Sequence, residues 1–260
     1  MLFKHFRGSL REPEFWAYSS WLDIVTKYRR SRLGLFWLLV PVALYTFGVG
    51  WFFAHLTGND PYAFIPHLGI GFVLFRLLST VINESTSVLP NHSSFVLDGH
   101  TRLTDFVMRV VAKAAFYFLT ALPLLAIALA MAPNFVPSGL LAVLPLLLVA
   151  LLNVAWIGVV VSLLGARFPD MHELMGSTFV FAFILTPILW QATLVPEGSM
   201  RSVLMRINPL FHMIEAIRAP VLGEQVFAST YWYLGIMTVA GWSLAWWLYR
   251  RYARFVPLWV

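Results

Sequence analysis

Cysteine is absent from the 260 residues, which excludes disulfides, cysteine-ligated zinc and thiol catalysis. Charge is nearly as scarce: Asp, Glu, Lys and Arg make up 12% of the chain, against roughly 25% in a soluble domain. No G-x-x-x-x-G-K-[ST] phosphate loop is present, so the chain is not built to hydrolyse ATP alone. The seven histidines show neither H-x-x-x-H nor HExxH spacing, and His172-Glu173 is a bare neighbouring pair rather than a ligand set. No Ser/His/Asp arrangement can be assembled from the spread residues. The chain itself is therefore expected to hold no metal and no cofactor, and to have no catalytic residues.

What is abundant is apolar surface. Hydrophobic residues make up 60% of the sequence and its mean hydropathy is +0.77. A bilayer core of about 30 Å needs roughly 20 apolar residues per helix. Six such stretches can be read: 33–54, 64–82, 107–130, 140–164, 176–194 and 231–248. Together with their connections they fill the chain, leaving no space for a separate soluble domain. The fold class is an all-α integral membrane protein with a single transmembrane domain over 1–260. Pro41, Pro123, Pro145 and Pro187 lie inside the runs, where neighbouring helices re-satisfy the freed carbonyls. No cleavable leader is expected, since Glu12, Glu14 and Asp23 precede the first apolar run.

Residues 13–32 read as an amphipathic helix lying on the membrane. Glu12 and Glu14 flank Pro13 at the positive end of the dipole, and Lys27, Arg29, Arg30 and Arg32 sit at the other end. Ala17, Tyr18, Trp21, Leu22, Ile24, Val25 and Tyr28 share one half of the wheel. Ser19, Ser20, Asp23, Lys27 and Arg30 share the other, and Trp16 breaks the pattern.

The net charge of +6 reads as a membrane-topology signal rather than affinity for nucleic acid. Seven Lys and Arg precede the first span: Lys4, Arg7, Arg11, Lys27, Arg29, Arg30 and Arg32. Arg102, Arg109, Lys113, Arg167, Arg250, Arg251 and Arg254 fall on the same side. Only Arg201, Arg206 and Arg218 fall opposite, so both termini are expected in the cytoplasm.

Two connections exceed a turn. Residues 83–109 are polar and cytoplasmic; residues 196–229 are external and include a helix-like apolar piece, 210–222, too short to span. That piece is expected to re-enter the outer leaflet or pack over the helix ends.

The span centres contain no Asp or Glu, the groups an ion-coupled transporter needs at mid-membrane. Arg76 is the one charge well inside a run. It either contacts an anionic substrate, pairs with Glu84 eight residues on, or snorkels to the interface. Aromatics make up 16% of the chain, and most Trp and Tyr are interfacial anchors. Trp37, Tyr45, Phe47, Trp51 and Phe52 in the first span are read as anchors too, or alternatively as rings lining a canal on which sugars stack.

The run 28–37 (YRRSRLGLFW) followed by Pro41 resembles the start of the permease subunits of bacterial polysaccharide ABC exporters of the ABC-2 type. Arg167-Phe168-Pro169-Asp170-Met171 resembles their R-[FY]-x-D-[IM] motif, and Asn208-Pro209-Leu210 with 215–222 their external helices. The ending Arg254-Phe255-Val256-Pro257-Leu258-Trp259 is closer to O-antigen than to capsule members. The resemblance implies a homodimer in the bacterial inner membrane. It also implies two separate ATPase subunits, which bind the ATP and Mg, and a lipid-linked polysaccharide as cargo. By the same resemblance the N-terminal helix gates the substrate, with Trp16, Trp21, Tyr28, Arg29, Arg30 and Arg32 as its candidates; from its own position Arg76 joins the five first-span aromatics as a canal-lining candidate. The ATPase docks on the 83–109 loop through Glu84, Asn91, His92, Asp98, His100 and Arg102. Rival readings are an exporter of capsular or teichoic polymer, a small-drug or lipid exporter, a membrane-embedded glycosyl- or acyltransferase, and an assembly or sensor protein.

Overall fold

A computed structural model describes residues 1–196 and 198–260; Glu197, which falls in the connection read as 196–229, lies outside the described residues. Among those described there is no strand. Two helices precede the first apolar run: α1 (Leu2–Arg11) and α2 (Glu14–Tyr28). The long helices are α3 (Gly34–Thr57), α4 (Pro61–Val88), α6 (Leu103–Met131) and α7 (Leu140–Arg167), with the short α5 (Ser93–Asp98) between α4 and α6. Then come α8 (Met171–Leu185), α9 (Met200–Ile207), α10 (Pro209–Val221) and α11 (Ala228–Tyr252), closed by a 3-10 turn, Ala253–Leu258.

Four helices, α3, α4, α6 and the stretch Pro137–Arg167 containing α7, are long and apolar enough to cross a bilayer. The other two expected crossings differ for separate reasons. At 15 residues, α8 is about 22 Å long, short of the hydrocarbon core. It lies some residues earlier than the expected 176–194 run because Pro187 forces Thr186 into an extended conformation (ψ 134°), ending the helix. In contrast, α11 has ample length at 25 residues, but its Trp and Tyr side chains, amphipathic by nature, lower its hydropathy.

The central helix is α4, buried along most of its length and wrapped by α3, α6, α7, α8 and α10. Asp60 starts it, accepting from the Tyr62 amide at 3.2 Å, with Pro61 in the first turn. Small residues let its neighbours come close. A Cβ on Gly69 would press on the Thr46 side chain of α3, and one on Gly165 of α7 would collide with the Thr86 carbonyl of α4. Thus α4 and α7 meet backbone to backbone at the end where both finish.

The first two-thirds of α3 is irregular: a 3-10 turn (Gly34–Leu38), an α-turn (Leu39–Ala43) and a π-turn (Leu44–Val49) precede regular helix (Gly50–Thr57). Pro41 removes one donor at the start of this break, and the wide π-turn absorbs the mismatch.

Unforeseen from sequence, α1 is clamped by polar contacts. Ser9 shares a buried hydrogen bond with Thr104 of α6 at 2.7 Å, and His5 Nδ1 shares one with the Tyr249 hydroxyl of α11 at 2.9 Å. Burial pushes the His5 imidazole below its ordinary pKa.

Candidate functional site

Part of the apolar half of α2 turns away from the protein, while Ile24 of the same half packs inward. Tyr18, Trp21 and Leu22 are exposed, whereas Ser20 and Ile24 are buried and Asp23 faces inward. That orientation suits a helix whose outer side meets lipid. Asp23 accepts two hydrogen bonds from Arg109 of α6, from Nε at 3.0 Å and Nη2 at 2.7 Å. Trp16, which broke the wheel pattern, donates its Nε1 to the Ser9 carbonyl at 2.7 Å and so ties α2 to α1. Trp21 meets Phe116 edge-on with centroids 5.6 Å apart. Tyr28 ends the helix beneath the Lys27 ammonium, 5.5 Å from its ring. Arg29, Arg30 and Arg32 lie in the following turns, exposed, with no carboxylate partner among the described residues. Three unpaired guanidinium groups at a membrane edge are suited to bidentate contacts with phosphate.

The expected 83–109 loop is shorter than its sequence suggested. Because α4 continues through Val88 and α6 starts at Leu103, Glu84 and Arg109 are helical residues. Glu84 does not pair with Arg76; its Oε2 accepts from Lys113 Nζ at 2.7 Å. Eight residues is more than two helical turns, and a cation on the neighbouring helix is nearer. The true connection, 89–102, projects α5 outward and ends it at Gly99, whose φ of +74° is left-handed. Asn91 is exposed, while His92 donates Nδ1–H to the Val88 carbonyl at 2.7 Å against the Phe106 ring. Burial pushes the His92 imidazole down, and the Val88 bond works the other way. Asp98 and His100 pair at 3.0 Å on the exposed tip. Arg102 instead points back to Glu12 at 2.6 Å, a hydrogen bond that raises its pKa. Phe95 and Leu97 are exposed beside Asp98, giving the tip an apolar patch; the run Phe95-Val96-Leu97 inside a polar stretch was its sequence signal.

Trp37, Trp51 and Phe52 of α3 are exposed, and Phe47 is half-buried. Tyr45, on the π-turn, stacks on Phe72 of α4 at 4.1 Å and meets Phe183 of α8 edge-on. Phe75 joins the seam against Phe179 and Phe183. No residue of α8 is buried, so α3 and α8 together form a broad, aromatic, uncovered face. Arg76 points elsewhere, into the narrow space between α3, α4 and α6. Its Nη1 donates to the Leu38 carbonyl at 3.5 Å and its guanidinium lies 5.6 Å from the Tyr117 ring.

At the opposite end lies a charged cluster that sequence reasoning missed. The expected re-entrant piece is α10, and from Leu210 to Ala219 every residue is buried. Arg218, fully buried, donates Nη1 to the Pro187 carbonyl at 2.6 Å and Nη2 to Glu215 at 2.5 Å. His67 Nε2 of α4 lies 3.2 Å from both Arg218 Nη1 and the Trp190 carbonyl, and can serve one of them at a time. Glu224 stands 3.9 Å from the other ring nitrogen. Asn208 caps α10, accepting from the Leu210 amide, and donates to Thr186 at the end of α8. The spacing of Glu215 and Arg218, three apart in a short apolar helix, was the available signal. Among the described residues no three His, Asp or Glu side chains converge as metal ligands, and His172 is bonded to Thr86 at 3.1 Å.

Comparison with known proteins fits this layout of edge charges and bare aromatic helices. Residues 16–222 match the family model of the ABC-2 type transporter. The O-antigen export system permease protein RfbA of Myxococcus xanthus is 19% identical over 198 residues, 76% of each chain. The capsule polysaccharide export inner-membrane protein CtrC of Neisseria meningitidis serogroup B is 20% identical over 217 residues, 82% of this chain and 81% of that one. This chain, a multi-helix membrane permease, belongs to the ABC-2 type transporter family.

Proposed function

We propose that the chain is the membrane subunit of an ATP-driven exporter that moves a lipid-linked polysaccharide, O-antigen foremost, across the bacterial inner membrane. The observation that carries this reading is the uncovered aromatic face of α3 and α8 in a protein without a titratable acid at any span centre. A face of rings suits a glycan canal closed by a second copy of the chain, and span centres without Asp or Glu leave no mid-membrane group to couple transport to an ion. Six crossings, α3, α4, α6, α7, α8 and α11, put both termini in the cytoplasm by their charge. In this reading α8 completes its crossing through the irregular stretch 186–195, which includes the 3-10 turn Ala192–Leu194 and whose first residues, Thr186 to Ile188, are buried.

The roles follow from the geometry. Arg29, Arg30 and Arg32 recruit the diphosphate of the lipid-linked sugar, with Trp16, Trp21 and Tyr28 anchoring the gate helix. Trp37, Tyr45, Phe47, Trp51 and Phe52 face or border the canal. The tip formed by Asn91, Asp98 and His100, together with Phe95 and Leu97, docks on a separate ATPase that binds ATP and Mg; His92 and Arg102 hold the base of that tip. Two permeases and two ATPases make the working unit. The capsule relative supports a second reading, a capsular polymer as cargo, on the same geometry.

Co-purification tests the class: an ATPase subunit should accompany the chain, and lipid-linked glycan should stimulate its hydrolysis. Replacing Arg29, Arg30 and Arg32 together with Gln should abolish that stimulation while the complex still assembles. A lone chain that drives solute uptake from an ion gradient in liposomes would defeat the proposal.

A further inference from the structure

The basic residues at the α2 edge fall into two groups. Arg102, Arg109 and Lys113 are each paired with a carboxylate. Arg167, at the end of α7, has none among the described residues, and neither do Arg250, Arg251 and Arg254 at the end of α11. Each of these four lies over an aromatic ring instead; Arg167 is 5.7 Å from the Phe168 ring and 5.9 Å from Trp259. Beneath Arg167 runs a groove of about 310 Å³ between α7, α11 and the C-terminal turn, walled by Val160, Leu163, Leu164, Leu248, Tyr252 and Trp259. It is separate from the aromatic face, since α11 packs chiefly on α7 and Tyr45, Phe72 and Phe183 meet elsewhere.

The geometry points to a binding site for one anionic phospholipid of the bilayer, its phosphate on Arg167 and an acyl chain in the groove. Charge complementarity selects the ligand. An exposed guanidinium with no protein acid is free to take an anion, and a wall of Leu, Val and ring faces suits a chain rather than a soluble ion. The position agrees. Both helices end here, and Tyr252 and Trp259 have the amphipathic bodies that settle at headgroup depth. Arg250, Arg251 and Arg254 add positive potential around the mouth. A zwitterionic lipid offers the same chain but no net charge, so the site discriminates by headgroup.

The test uses the full chain, with any ATPase that co-purifies, in nanodiscs of phosphatidylcholine containing equal mole fractions of dibrominated phosphatidylglycerol or dibrominated phosphatidylcholine. Bromine quenches nearby Trp, and subtracting the Trp259→Phe variant isolates the groove. The Trp259 signal should show about fivefold enrichment of the anionic lipid, the order one arginine near an anionic surface supplies. Arg167→Gln should remove most of this enrichment while Trp emission elsewhere is unchanged. Equal quenching by the two lipids in the unmodified protein overturns the proposal, whatever the variants do. So does protection of Trp259 from both lipids, which would assign the groove to a protein partner. Displacement of the brominated lipid by a polyprenyl diphosphate sugar, but not by unlabelled phosphatidylglycerol, would assign it to cargo and also overturn it.

Discussion

The contact between Asp23 and Arg109 holds α2 against the bundle, and Asp23→Asn isolates its strength. The substitution keeps the shape, removes the charge and leaves at most one acceptor for the fork. A hydrogen bond to a charged group is worth about 1.5–3 kcal/mol when well buried. The Arg109 side chain is 13% exposed, but that of Asp23 is 38% exposed, so water screens much of this. A loss of about 1–1.5 kcal/mol remains, which raises the undocked population of α2 about 5- to 12-fold. Hydrogen exchange on the protein in nanodiscs reads this directly. Peptides covering 14–28 should exchange faster by that factor, while peptides from α7 stay unchanged. Arg109→Gln should produce a similar effect, and the double variant should be little worse than either single one, because both remove the same contact. If α2 exchange stays within about twofold of the unmodified protein, or the two single effects simply add, the strap is not what docks this helix.

Three further outcomes follow from the packing. Arg218→Met should strip the partner from the buried Glu215 and cost about 3–5 kcal/mol, seen as a lowered midpoint in a thermal unfolding scan; adding Glu215→Leu should restore much of it. Gly69→Ala should destabilise by about 1–3 kcal/mol, and Thr46→Ser in the same chain should relieve it, since the nearest atom to the new Cβ is the Thr46 methyl. Acidification should loosen α1. The folded-state pKa of His5 lies below 6.5, so the unfolded chain takes up more protons as pH falls through 6.5, and stability is lost across the window between the two values. Exchange of α1 amides between pH 7.5 and 5.5 would show this, and His5→Asn should remove it.

The long helices were legible because each apolar run is its own signal: a stretch of about twenty hydrophobic residues has few alternatives to spanning lipid. The unpaired arginines of 29–32 and the aromatic content of the first span were equally plain. What escaped depended on neighbours distant in sequence. Nothing near Glu84 announces Lys113, and nothing in α1, with its mix of Lys, His, Arg and Ser, announces that Thr104 and Tyr249 will receive it. Which side of α2 packs inward was not legible in the wheel alone: in lipid part of the apolar half of a surface helix points out, and Ser20, Asp23 and Ile24 form the inward side. Arg218 read as an external loop residue because ten consecutive buried positions of α10 exist only once α4 and the 186–190 turn close around them.

The meeting of Gly165 with the Thr86 carbonyl has a mechanical meaning. Side chains in contact can slip, changing rotamer to absorb a shift of an ångström; two backbones in contact cannot. A displacement at this end of α4 is therefore shared by α7, the two being joined at their base like a rivet. The unevenly wound α3, whose turns are of three different sizes, is met instead through a side chain, the Thr46 methyl against Gly69 of α4.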